Sequence, residues 1–168
     1  MSENNLLIVH GGGPTAVINA SLYGAILEAK KYPELTHIYA AKNGTGGLLK
    51  EDLIELDKVN GEELKLLLQT PGSAIGTSRD EISNQDYDRM VEILIKKNIR
   101  YVLFNGGNGT MDTCGKLYKA CKNRNIDIKV MGIPKTIDND ISITDHSPGY
   151  GSAARFIAQS VKEICADV

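Results

Sequence analysis

The sequence has no tryptophan, only two phenylalanines and no excess of positive charge. Lysine and arginine number 19 against 21 aspartates and glutamates, a net charge of −2. That balance offers no basic field for a polyanionic backbone, which argues against nucleic acid as a partner. No apolar run approaches the length of a membrane span. The opening stretch MSENNLLIVH lacks the basic region and long apolar segment of a secretory signal. Cys114, Cys121 and Cys165 follow no C-x-x-C spacing, and an odd count without a metal or disulfide pattern suits a reducing compartment. Together these absences predict a cytoplasmic protein with neither membrane nor nucleic acid as a partner.

What is present is glycine, 17 residues of it in a chain of 168, much of it clustered, and clusters imply backbone work. Hydrophobic residues at 42% and charged residues at 24% exclude disorder and allow a real core. The length suits one domain or slightly more.

Along the chain, short apolar runs alternate with helical periodicity. Residues 6–9 read as a strand buried on both faces, followed by a helix over 16–31 with Val17, Ala20, Tyr23 and Leu27 on one stripe and Pro33 beyond its end. Residues 37–41 form a second strand, and Gly44, Gly46 and Gly47 a loop. Helices are expected over 62–69 and 85–97, the latter with Tyr87, Met90, Val91 and Leu94 at helical spacing. Strands at 101–104 and 126–133 flank a helix over 112–123. A loop of about 18 residues follows, long enough to suggest function, and a last helix covers 152–165 with Ile157, Val161, Ile164 and Cys165 on its stripe. Alternating strands and helices predict an α/β fold, a Rossmann-like three-layer sandwich with a mostly parallel sheet. In such sheets ligands bind beyond the carboxyl ends of the strands, and three of the four expected strands run into loops rich in Gly, Asp, Asn and Thr.

Five segments carry chemistry. In GGGPTAVINA (residues 11–20) a strand feeds a glycine turn that opens a helix, with Pro14 suited to the first helical turn. Its backbone N–H groups suit phosphate, although the same loop serves equally as a plain strand-to-helix turn. It is not G-x-G-x-x-G, and no acidic residue ends the second strand, so a nicotinamide site is disfavoured. GGNGT (residues 106–110) repeats the arrangement without the Gly-Lys-Ser/Thr ending of a P-loop; two such loops on one sheet edge favour a phosphorylated ligand. In PGSAIGTSR (residues 71–79), Arg79 could neutralise charge in a phosphoryl-transfer transition state, though alone it reads as a solvated arginine. In PKTIDND (residues 134–140), an extended backbone would put Thr136, Asp138 and Asp140 on one side, with Lys135 opposite, or inward if the loop kinks. One carboxylate can take a proton from an attacking hydroxyl while the other holds metal or tunes its partner; an Asx-type turn at Asn139 is the plainer alternative. In TDHSPGYGSAAR (residues 144–155), Ser147 suits an N-cap and Pro148 the first helical position. His146 reads as a loop histidine, and neither His10 nor His37 has metal-ligand spacing.

Taken together, GGPTAVINAS, GTSR, GGNGT and PKTIDND with TDHSPGYGSAA resemble, in order and spacing, the phosphofructokinase family over about residues 6 to 165. The fold implied is that family's donor domain, and the reaction is phosphoryl transfer to the 1-hydroxyl of fructose 6-phosphate. The resemblance implies Asp138 as catalytic base on the sugar hydroxyl and Asp140 as the motif's second carboxylate. Arg79 would contact the transferring phosphates. Gly12, Gly13, Asn108, Gly109 and Thr110 would bind donor phosphate, and Lys135 and Thr136, with Asp138, the sugar phosphate. NAD kinases and diacylglycerol kinases carry a GGDGT-like loop, but PKTIDND argues against both.

Two positions depart from the common pattern. Asn108 stands where the family's GGDGS places an Mg²⁺-binding Asp. An amide oxygen can still ligate Mg²⁺, without charge, and some family members carry Asn there. For the donor, Gly109 is the ATP-like residue and Lys135 the pyrophosphate-like one. Space at Gly109 favours ATP, with pyrophosphate the alternative. Family members are also considerably longer. The resemblance therefore implies an amino-terminal portion, with residues 1–140 the donor domain and 141–168 the start of the sugar-phosphate domain. Little kinase activity is then expected of the chain alone, a homo-oligomer is expected, and a non-catalytic nucleotide-binding domain is the rival reading.

Overall fold

The computed structural model describes residues 4–167. The first three residues of the amino-terminal stretch, and Val168, lie outside the described residues. The elements in order are β1 (Asn5–Gly11), α1 (Ala16–Ala29), β2 (Ile38–Ala41), α2 (Gly44–Leu49), β3 (Leu53–Glu55), α3 (Gly61–Leu66), α4 (Asn84–Lys96), β4 (Ile99–Gly106), α5 (Asn108–Asn123), β5 (Lys129–Pro134) and α6 (Tyr150–Asp167). The strands form one sheet in the order β3-β2-β1-β4-β5. All pairings are parallel except β2 with β3.

β1 lies at the centre and is buried on both faces, as its unbroken apolar run requires. Side chains alternate across a strand. Leu7 and Val9 therefore pack with Leu48 of α2, Met90 and Leu94 of α4 and Leu117 of α5. Leu6 and Ile8 pack on the other face with Leu22 and Ile26 of α1 and Leu64 of α3. This is the expected three-layer α/β sandwich. α4 starts at a capping box, with the Ser83 hydroxyl accepting from the Asp86 N–H and the Asp86 carboxylate from that of Ser83. It buries Tyr87, Met90, Val91 and Leu94 as the periodicity predicts.

Several expectations are corrected. The buried stripe of α1 is Ile18, Leu22, Ile26 and Ala29; Val17, Ala20 and Tyr23 are half-buried and Leu27 is exposed. The helix is apolar nearly all round, so periodicity alone does not choose between adjacent stripes, and the larger aliphatics take the sheet side. Thr15, in extended conformation, is the N-cap, so Pro14 precedes the helix. The segment with Gly44, Gly46 and Gly47 is the helix α2, not a loop; backbone contacts that admit no Cβ at Gly47 outweigh glycine's poor propensity. β3 was not anticipated; three residues at an antiparallel edge carry too little pattern. α5 begins at Asn108, four residues before the expected start, and α6 at Tyr150, so Ser147 is buried ahead of that helix and does not cap it. α6 buries none of its residues, and its expected stripe faces outward, with Ile157 and Ile164 61% and 63% exposed. No helix of the described residues is long and apolar enough to cross a membrane.

Candidate active site

The carboxyl ends of β1, β4 and β5 open onto a cleft of about 690 Å³. Its lining includes every residue singled out above: Gly12, Gly13, Arg79, Asn108, Gly109, Thr110, Lys135, Thr136, Asp138 and Asp140. Parallel strands all end on one edge, so segments up to 128 positions apart in sequence meet there (Gly12 and Asp140).

The floor is backbone. Gly11 and Gly106 are register partners at the ends of β1 and β4, and a Cβ at Gly106 would lie 2.5 Å from the Gly11 carbonyl oxygen. Only glycine allows that approach. Gly12 then turns with φ +74°, a conformation other residues rarely adopt. Its N–H donates to the Ser78 carbonyl (3.1 Å) and its carbonyl accepts from the Thr77 hydroxyl (2.7 Å). The chain continues into α1, whose N-terminus has no side-chain cap. α5 is likewise uncapped behind Gly107. Asn108, Gly109 and Thr110, expected to bind the donor, are thus its first turn rather than a loop before it. Two long helices therefore present N-terminal N–H groups and the positive ends of their dipoles around the cleft. Asn108 and Gly109 are exposed, Thr110 is buried, and a Cβ at Gly109 would meet nothing within 4 Å.

Lys135 turns inward. Its backbone N–H donates to the Gly106 carbonyl (2.9 Å), and its buried ammonium donates to the Gly13 carbonyl at 2.5 Å. Burial pushes its pKa below the ordinary lysine value; the Asp138 charge opposes that shift and the Arg79 charge adds to it. Arg79 is exposed at the rim, its Nη2 3.3 Å from where a Cβ on Gly13 would sit.

Thr136, Asp138 and Asp140 do gather, but not through an extended strand. Asn139 has φ +54°, and the Thr136 hydroxyl accepts from the Asp138 N–H (3.0 Å) and donates to the Asp140 carboxylate (3.3 Å). The Asn139 side chain makes no Asx-type turn with its own neighbours; it reaches across the loop, its amide donating to the Asp145 carbonyl and accepting from the Ser147 N–H. Both carboxylates stay exposed to the cleft while Thr136 is buried beneath them. No group of three or more His, Cys, Asp or Glu side chains among the described residues could hold a metal. The available donors are hard oxygens from Asn108, Asp138 and Asp140. That set fits Mg²⁺, which keeps most of its shell for water and phosphate and takes few protein ligands.

Two residues the motifs do not include, His10 and Asn105, brace the site from below together with Ser73. His10 is fully buried at the end of β1 beside Asn105, its register partner on β4. Its Nε2 accepts from the Asn105 amide (3.3 Å), so Nδ1 carries the proton and donates to Ser73 Oγ (2.7 Å), which donates to the Gly76 carbonyl (2.8 Å). Burial, with the Lys135 charge, lowers the His10 pKa to about 4. The signal in the sequence is a polar residue closing an apolar run just before glycines, as in VHGGG and FNGG.

A family model for phosphofructokinase matches residues 5–168. The chain is 42% identical over 173 residues to the pyrophosphate–fructose 6-phosphate 1-phosphotransferase of Xanthomonas campestris, covering 100% of this chain and 41% of that protein. It is 31% identical over 157 residues to the ATP-dependent 6-phosphofructokinase of Entamoeba histolytica, covering 94% of this chain and 35% of that one. Among solved structures, a pyrophosphate-dependent phosphofructokinase from Nitrosospira multiformis superimposes with a TM-score of 0.92 at 38% identity, over 99% of this chain and 42% of that one. The phosphofructokinase of Saccharomyces cerevisiae shares the fold, with a TM-score of 0.78 at 21% identity, over 98% of this chain and 24% of that one. The chain thus spans about two-fifths of the length of the bacterial relatives it matches, and it belongs to the phosphofructokinase family.

Proposed function

We propose that this chain forms the phosphoryl-donor side of an enzyme that phosphorylates the 1-hydroxyl of fructose 6-phosphate, with pyrophosphate as the donor. The observation that carries the donor choice is Lys135, a buried ammonium held on the Gly13 carbonyl between the two uncapped helix N-termini. A compact, highly charged anion suits a fixed buried cation and convergent N–H groups. The names of relatives at 34–42% identity point the same way. This reverses the preference for ATP drawn from Gly109 alone. ATP stays as the second reading because the space beside Gly109 is open.

In the proposed reaction, residues 11–13 and the first turn of α5 hold the donor phosphates, and Arg79 and Lys135 neutralise their charge. Asp138 accepts the proton of the sugar hydroxyl as its oxygen bonds to the transferred phosphorus. The P–O bond to the leaving phosphate breaks, giving fructose 1,6-bisphosphate and phosphate. Thr136 orients Asp140 beside it. Asn108 with Asp138 or Asp140 would hold Mg²⁺, which offsets charge on the phosphate oxygens. Catalysis of this kind rests on positioning and charge rather than covalent chemistry. Residues 4–140 are the donor side and 141–167 the beginning of the sugar side.

Calorimetric titration tests the donor. Magnesium pyrophosphate should bind at least about tenfold more tightly than Mg·ATP, and Lys135→Met should erase the difference. Preferential binding of Mg·ATP would overturn the pyrophosphate reading, and binding of neither would overturn the donor site.

A further inference from the structure

Arg79 makes none of the contacts that hold it over the cleft; its neighbours make them. On its amino-terminal side, the Thr77 hydroxyl and the Ser78 carbonyl grip Gly12 from both ends. On its carboxyl-terminal side, a single oxygen of Asp80 accepts three hydrogen bonds. They come from the Thr45 hydroxyl (2.7 Å), the Gly46 N–H (2.7 Å) and the Ser78 hydroxyl. The approach to Gly46 is close: a Cβ there would lie 3.1 Å from both Asp80 oxygens. Asp80 therefore ties the start of α2, the residue before Arg79 and, through Ser78, the Gly12 turn into one unit.

We infer that Asp80 is a positioning residue for Arg79, fixing the segment that carries the guanidinium so that it faces Gly13 and the donor phosphates. Without the carboxylate, three donors lose their common acceptor. Residues 78–80 are then held on the Gly12 side and, towards α2, only by the long Thr45–Ser78 hydroxyl contact (3.4 Å), and the exposed Arg79 side chain samples orientations away from the cleft. The lost affinity is the cost of ordering it again on binding. Asp80 does not touch the donor, because its inward oxygen is occupied by the protein's own hydrogen bonds. This role rests on the proposed donor site.

The test is a double-mutant cycle read by calorimetric titration of magnesium pyrophosphate into the 168-residue chain. Asp80→Ala should weaken binding roughly tenfold, yet cause almost no further loss in an Arg79→Ala background, because its effect passes through Arg79. Gly46→Ala, which crowds the carboxylate, should reproduce the loss in milder form. Asp80→Asn keeps the volume and replaces Asp80→Ala in the cycle should the latter not fold. Losses that multiply in the double variant, or an Asp80 variant that binds as wild type, would overturn the positioning role while leaving the donor site intact. Failure of the wild-type chain to bind pyrophosphate would overturn the donor site and this role with it.

Discussion

α1 is apolar nearly all round and α6 is amphipathic, and the fold treats them oppositely. α1 sets Ile18, Leu22, Ile26 and Ala29 against the sheet and buries them, whereas α6, at 18 residues the longer of the two, buries nothing. Periodicity reports that a helix has an apolar face, not what covers it. The same division runs through the site. The side built from residues 10–15, 73–80 and 105–110 is braced by buried His10, Asn105 and Thr110. The side that begins with Asp138 and leads into α6 is largely exposed, Ser147 apart. The chain spans 41% of the Xanthomonas campestris relative.

The contrast should appear first in stability. Ile26→Ala or Leu22→Ala should cost about 2–5 kcal/mol in urea unfolding, the range for truncating a buried aliphatic. Ile157→Ala or Val161→Ala on α6 should stay within about 0.5 kcal/mol. Equal costs on the two helices would show that α6 packs against the body of the protein.

The braced side should also respond to acid. His10 titrates near its ordinary 6.5 when unfolded and at about 4 when folded, so between those values the unfolded chain binds a proton that the native one refuses. Its contribution is fully present above pH 6.5 and is lost as pH falls toward 4, on the order of 3 kcal/mol in all. Unfolding midpoints measured across that window should fall more steeply for wild type than for His10→Asn. Parallel pH profiles would place the acid response elsewhere.

The smallest effect concerns thiols. Cys114 and Cys121 on α5 are buried, and burial raises their pKa values, whereas Cys165 on α6 is exposed. A thiol reagent should modify Cys165 well before the other two in the folded protein. Comparable rates for all three would mean that α5 opens as readily as α6.

Much of this was legible in the sequence. The alternation that defines the sheet, the α4 stripe and the gathering of the expected site residues at one cleft follow from short local patterns, because a parallel sheet delivers strand ends to one edge. The stripe of α1 is not the expected one because its composition offers no single apolar face. α2 was hidden by its glycines, which are required by backbone contacts at Gly47 rather than by turn chemistry. The gathering of Thr136 and Asp140 was right and its cause wrong: a hydroxyl-centred turn with Asn139 at positive φ does what an extended strand was expected to do. His10 reads in the sequence only as a histidine without metal-ligand spacing; its bracing role is hidden because its partners, Ser73 and Asn105, are 63 and 95 residues away.

The most direct test of the proposed donor side and of an exposed α6 is amide hydrogen exchange with and without magnesium pyrophosphate. Protection should rise at residues 11–18, 76–80 and 106–112 and stay unchanged, and low, across 152–165. Protection that is absent from the glycine segments, or spread evenly over α6, would contradict it.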